Sequence, residues 1–228
     1  MTSTGPAIVN VVGRMPYASN ATLLVDLDDG HQGIYKPADG ERPLWDFPFG
    51  TLAAREVLTW EVSAAMGLSI VPPTYLVEGP FGLGSTQLFI KEDFEFDPRP
   101  LLEEPSERLW PFAVLDVIIN NADRKLGHII VEESTHDLWA IDNGLSFHYE
   151  EKLRTILWGF AGRPLPAPLI KGLTNLTDSL KSGLHARVSD LLSRVEADAL
   201  ATRTAHLLES GVHPHPPLDR PAVPWPMW

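Results

Sequence analysis

The feature that most constrains this chain is a pair of acidic turns joined by a short hairpin. The first turn is Asn120-Asn121-Ala122-Asp123-Arg124, with His128 five positions beyond Asp123; the second is Ile141-Asp142-Asn143-Gly144. Between them, Ile129-Ile130-Val131 and Leu138-Trp139-Ala140-Ile141 read as two short strands about the polar turn Glu133-Ser134-Thr135-His136. A hairpin that doubles back brings the two acids together. Phosphoryl transfer asks for that arrangement: one carboxylate beside the attacking hydroxyl and a second holding a divalent cation on the phosphates. In protein kinases a further group, five residues past the first acid, takes the other metal, and His128 has that spacing. Taken singly, Asp-Arg is an ordinary surface pair and Asn-Gly an ordinary hairpin turn. The reading therefore needs support from upstream.

A kinase also needs a strand lysine that meets the phosphates and a helix glutamate that orients it. Ile8–Val12, Thr22–Leu27 and Gly33–Lys36 read as strands, the last two joined by Asp28-Asp29-Gly30 and stopped by Pro37, which cannot donate to a ladder. Lys36 ends the third strand. Thr51 to Met66 has apolar residues at helical spacing and carries Glu56, with Glu61 as a competitor on the same helix. The polar turn from Gly13 to Asn20 lies between the first two strands, where Ser19, Asn20 and the backbone N–H groups can cover phosphates; it has neither G-x-G-x-x-G nor the Walker pattern. Strands at Thr74–Val77 and Ser85–Ile90 follow. An acidic, proline-containing stretch, Asp93 to Pro105, marks a boundary. Beyond it, helices are expected over 106–120, 168–180 and 184–208, the last as one long amphipathic helix. The expected organisation is an N-terminal nucleotide-binding lobe (1–95), a C-terminal catalytic lobe (96–212) and a proline-rich extended tail (213–228). Strands around one helix, followed mostly by helices, define an α+β protein with a two-lobed, protein-kinase-like fold. His213 and His215 read as tail residues rather than metal ligands.

These segments together resemble the phosphatidylinositol 3-/4-kinase family, and most of all its type II phosphatidylinositol 4-kinase branch, in a small bacterial-type form. The resemblance is carried by Gly33-Ile34-Tyr35-Lys36-Pro37, Leu68 to Thr74, Gly84 to Ile90, Val114 to Arg124 and Ala140 to Phe147, in order from about residue 33 to 170. It implies that Lys36 pairs with ATP phosphates and Glu56 holds Lys36. Ile90, Lys91 and Glu92 would meet the adenine. Asp123 would be the catalytic aspartate, with Asn121 and Arg124 shaping its loop and Asp116 bracing it. Asp142 would bind the metal together with His128. The family usually has Asn at the position of His128. Mg²⁺ prefers oxygen ligands, so the imidazole makes Mn²⁺ an alternative.

Composition narrows the partners. The formal net charge of -12 disfavours a nucleic-acid backbone and an anionic membrane surface. With no cysteine, disulfides, thiolate metal sites and S-acyl anchors are excluded. No apolar run reaches membrane-spanning length and the N-terminus has no signal-peptide pattern, so a cytoplasmic protein without a stable membrane anchor is expected. The expected activity is ATP- and divalent-metal-dependent transfer of the γ-phosphoryl group to a hydroxyl, on a protein side chain or small molecule before a lipid. A nucleotide-binding pseudokinase without turnover and an adenylyl transferase are the alternatives on the same fold.

Overall fold

The structure, a computed structural model, describes residues 5–16, 21–103 and 106–227. Strands β1 (Ile8–Arg14), β2 (Leu23–Leu27), β3 (Gln32–Pro37), β4 (Thr74–Gly79) and β5 (Gly82–Leu88) form one antiparallel sheet in the order β1-β2-β3-β5-β4. Lys36 pairs in register with Ser85 of β5. The sheet's own core is small, consisting of buried Val25, Leu27 and Tyr35.

Helix α1 (Leu52–Ala65) crosses between this sheet and the rest of the protein. Its Leu58 and Val62 belong to the large core, packed with Phe112, Leu115 and Ile119. The helix therefore packs on both sides, against β4 and β5 of the sheet and into the large core beyond it. One link is polar: Arg55, fully buried, donates to the Ser146 carbonyl at 2.5 Å and to Glu196 at 2.7 Å.

The remaining elements are α2 (Pro100–Glu103), α3 (Trp110–Ile119), the hairpin β6 (Ile129–Val131) and β7 (Leu138–Ala140), then α4 (Ala167–Ser179), α5 (His185–Leu191) and α6 (Arg194–Ser210). α3 starts later than its apolar pattern suggests, because Ser106 caps a separate tight turn over Glu107–Leu109 and Pro111 sits in the first turn of the helix. Asn120 ends it in the left-handed conformation, at φ 55°.

Two expectations are corrected. The helix expected over 184–208 is two helices. Leu192 breaks the run, and Ser193 starts the second by accepting a hydrogen bond from the Glu196 N–H while its hydroxyl donates to the Glu196 carboxylate. The proline-rich segment is extended, but it is docked. Gly162 N–H donates to His213 O, and both Thr155 N–H and Trp158 Nε1–H donate to Ala222 O. His213 is fully buried among the rings of Trp110, Trp158 and Phe160. Prolines remove donors from this segment but leave its carbonyls, and neighbouring loops supply the N–H groups. Among the described residues no helix is long and apolar enough to cross a membrane.

Candidate active site

β3 delivers Lys36 and α1 delivers Glu56 to the mouth between sheet and helices. The Lys36 ammonium lies 2.7 Å from Glu56 Oε1 and 3.0 Å from Asp142 Oδ1. The other oxygen of Glu56 accepts the Asn143 backbone N–H at 3.1 Å, so this carboxylate joins the strand lysine to the second acidic turn. Glu61 takes no part and pairs with Arg187. Burial alone would push the Lys36 ammonium down, but Asp142 and Glu56 outweigh it and hold it above the ordinary lysine range. The Lys36 charge in turn holds the Asp142 carboxyl well below the usual carboxylate range, against burial. Asp142 still has 55% of its side chain exposed, so its carboxylate remains open to the cleft.

Asp142, not Gly144, takes the left-handed conformation, at φ 54°. Gly144 lies against α1, and a Cβ there would meet Leu52 Cβ at 3.4 Å and Glu56 Oε1 at 3.6 Å, ordinary contact distances.

His128 Nε2 lies 3.3 Å from Asp142 Oδ2, while its Nδ1 is buried without a hydrogen-bond partner among the described residues. Burial lowers the imidazole pKa despite the nearby Asp142. Asp123 is about three-quarters buried and its Oδ2 pairs with Lys125 at 3.0 Å. The other residues of the first turn are underneath. Asn121 donates to Asp116 and accepts the Asp123 N–H. Arg124, fully buried, pairs with Asp116 at 3.0 Å and donates to Asn143 Oδ1 at 2.6 Å and to the carbonyls of His128 and Ile141. Thr155 donates to the remaining Asp116 oxygen. Asn121 thus braces the first turn on Asp116, and Arg124 fastens the two acidic turns to each other from below. Leu126 N–H, between Asp123 and His128, donates to Met227 O, so the docked tail also reaches this loop.

Two cavities meet here. A cleft of about 1090 Å³ runs beneath the sheet and is lined by Ile34, Ile90, Lys91, Glu92, His128 and Ile141 among others. Burial raises the pKa of Glu92 in its wall. A smaller pocket of about 160 Å³ opens beside α1 and includes Asp123, Glu56, Leu44 and Leu52. Lys36 and Asp142 line both, whereas Asp123 faces only the smaller one and His128 only the larger. Met15, Pro16 and Thr22 show that the turn between β1 and β2 reaches the cleft, but Ser19 and Asn20 lie outside the described residues.

No group of three or more His, Asp or Glu side chains arranged to hold a metal occurs among the described residues. Asp142 and His128 fit a cation that takes its other ligands from phosphates, as Mg²⁺ commonly does and as imidazole-tolerant Mn²⁺ can. Sequence reasoning missed Lys125, two positions after Asp123. The local signal was there, a second cation in the acidic loop, but the adjacent Arg124 masks it.

No family model matches the chain. A protein of Mycobacterium tuberculosis, Rv2133c, is 36% identical over 256 residues, an alignment covering 96% of this chain and 91% of that protein. Among solved structures, the Golgi casein kinase with Mn/ADP bound superposes with a TM-score of 0.59 at 14% identity, over 90% of this chain and 72% of that one. The Helicobacter pylori proinflammatory kinase CtkA superposes with a TM-score of 0.58 at 12% identity, over 93% and 95%. These likenesses establish a protein-kinase-like fold. They do not single out a phosphatidylinositol 3-/4-kinase subtype.

Proposed function

Since this chain belongs to the family of the mycobacterial protein Rv2133c and has a protein-kinase-like fold, we propose that it is an ATP- and divalent-metal-dependent kinase acting on a hydroxyl acceptor. One observation carries the reading: Lys36 and Asp142 stand on the line where the two cavities join, with Asp123 on the side of the smaller one. The nucleotide occupies the larger cleft, its base toward Ile90, Lys91 and Glu92 and its phosphates toward Lys36. The acceptor enters from the smaller pocket. The two lobes, 1–95 and 96–212, contribute one wall each.

In the step itself, a bond forms between the acceptor oxygen and the γ-phosphorus as the bond from that phosphorus to the ADP oxygen breaks. Asp123 orients the hydroxyl and takes its proton. Lys36, held by Glu56, offsets charge on the phosphate oxygens, and Lys125, paired with Asp123, adds a positive charge beside that carboxylate. A cation bound at Asp142, with His128 beside it, would supply further charge neutralisation on the phosphates. Asn121 and Arg124 act through the loop and touch no reacting atom. They are positioning residues.

A protein side chain or small alcohol is favoured over a lipid, because the -12 charge opposes an anionic membrane surface. The Golgi casein kinase, a kinase with this fold, gives the protein acceptor further support. A lipid kinase of phosphatidylinositol 3-/4-kinase type would need an acceptor surface for which the described residues give no signal. The pseudokinase alternative draws on His128, which puts a nitrogen where a hard cation prefers oxygen.

The test is thermal unfolding with ATP, with and without Mg²⁺ or Mn²⁺, followed by intact-mass measurement of candidate acceptors. A metal-dependent rise in midpoint, and a mass gain of about 80 Da on an acceptor, are expected. A gain of about 329 Da would replace the kinase by an adenylyl transferase. No rise at millimolar ATP and metal would overturn the nucleotide site.

A further inference from the structure

In the C-terminal lobe, α6 and the docked tail line an open cavity of about 680 Å³. Five buried side-chain polar atoms have no partner among the described residues, and three of them, on Arg203, His213 and Arg220, belong to residues that line this one cavity. Arg203 is the more telling. Its Nε donates to Ile118 O at 2.9 Å and its Nη1 to His148 O at 3.3 Å, while Nη2 is buried and unpartnered. It makes no ion pair among the described residues: its hydrogen bonds go to neutral carbonyls, and the carboxylates of Glu151 and Glu196 act on it only from a distance. A guanidinium cannot shed its proton to escape burial as a lysine can, and a buried charge without a counter-ion is strongly disfavoured. Burial draws the Arg203 pKa down to about 10. Arg220, from the tail, keeps Nη1 on Asp219 and Nη2 at 3.7 Å from Glu151, leaving Nε buried and unpartnered.

We propose that this cavity is a second ligand site that binds a small organic phosphate, its oxyanion bridging Arg203 of α6 and Arg220 of the tail. Guanidinium N–H groups match phosphate oxygens in charge and geometry. The apolar walls, Val117, Leu153 and Trp158, suit an aromatic or aliphatic body, and the volume falls in the range of small-molecule sites. Glu151 is the built-in competitor: half exposed at the rim, it faces Arg220 and also acts on Arg203. Removing its charge should tighten the site. The proposal does not depend on the kinase reading, since no residue of the site belongs to the nucleotide cleft.

The test is calorimetric titration of the full chain with phenyl phosphate and with inorganic phosphate at constant ionic strength. Wild type and Lys36→Met should bind phenyl phosphate equally, and roughly threefold or more tighter than inorganic phosphate. Arg203→Met and Arg220→Gln should each weaken it by roughly tenfold or more, and Glu151→Gln should tighten it by roughly threefold. The gain in Glu151→Gln cannot arise from misfolding. Unchanged affinity in both arginine variants, loss of binding in Lys36→Met, or no saturation by ~10 mM in wild type would each overturn the proposal. Equal affinity for the two phosphates would overturn the organic body.

Discussion

Two sets of charged side chains flank the loop that carries Asp123, and they are built from similar parts. Above it, Lys36, Glu56, Asp142 and His128 face the cleft. Below it, Asp116, Arg124, Asn143 and Thr155 are completely buried. In the lower set, Arg124 makes five hydrogen bonds through its side chain and both Asp116 oxygens accept hydrogen bonds. In the upper set, Asp142 is more than half exposed and His128 has an unpartnered nitrogen. The difference separates scaffold from site. A fully satisfied buried network fixes one geometry, whereas a partly satisfied one keeps bonding capacity for something that arrives.

Substitutions can break this contrast. Arg124→Met should act on folding first. It strands Asp116 as a buried charge, and a loss of about 3–5 kcal/mol is expected by chemical denaturation. A stable, well-folded variant would mean that the lower set is not the scaffold. Asp123→Asn should leave the unfolding midpoint and ATP binding nearly unchanged while turnover drops by about 10²–10⁴-fold, read by ADP release. Full activity would remove Asp123 from the chemistry.

Asp142→Asn should abolish the metal-dependent part of the ATP-induced rise in midpoint, and it sharpens the comparison through pH. The Asp142 carboxyl is depressed in the folded protein. Its contribution is therefore present above the unfolded carboxyl value, about 3.9, and lost as pH falls through the lower folded value. Lys36 is raised, so its contribution is full below about 10.4 and fades as pH climbs through the folded value. The variant should accordingly show a shallower loss of stability on the acid side than wild type in urea titrations across that window. An identical acid limb would mean that the Lys36–Asp142 pair is not formed in solution. The smallest effect is expected for His128→Asn: Mg²⁺-supported activity should hold or rise, by no more than about threefold. Complete loss would give the imidazole a role that no oxygen ligand can fill.

The upper set was legible in the sequence because its members sit in short motifs with local geometry: a strand end, a helix, two turns around a hairpin. The lower set was only half legible. Asp116, Asn121 and Arg124 lie within one stretch, but nothing local ties Thr155 to Asp116, since that bond joins residues brought together by folding alone. The same reason hid the docking of the tail. Its prolines signal extended backbone, and only the partner loops at Thr155, Trp158 and Gly162 decide whether such backbone is held or free. The break between α5 and α6 was written locally, in Ser193 and Glu196, but the surrounding amphipathic pattern continues through it.

The buried pair of Arg55 and Glu196 has a practical consequence for dissecting the molecule. Arg55 comes from the first third of the chain and Glu196 from the last; Arg55 is fully buried and Glu196 nearly so. A polypeptide cut in the acidic stretch near Pro98 would give two fragments, each inheriting one half of an ion pair and an apolar surface meant for the other. Expressed alone, each should aggregate or stay unstructured. Mixed, they should reassociate, and the recovery of structure on mixing would make the join between the lobes a measurable binding equilibrium.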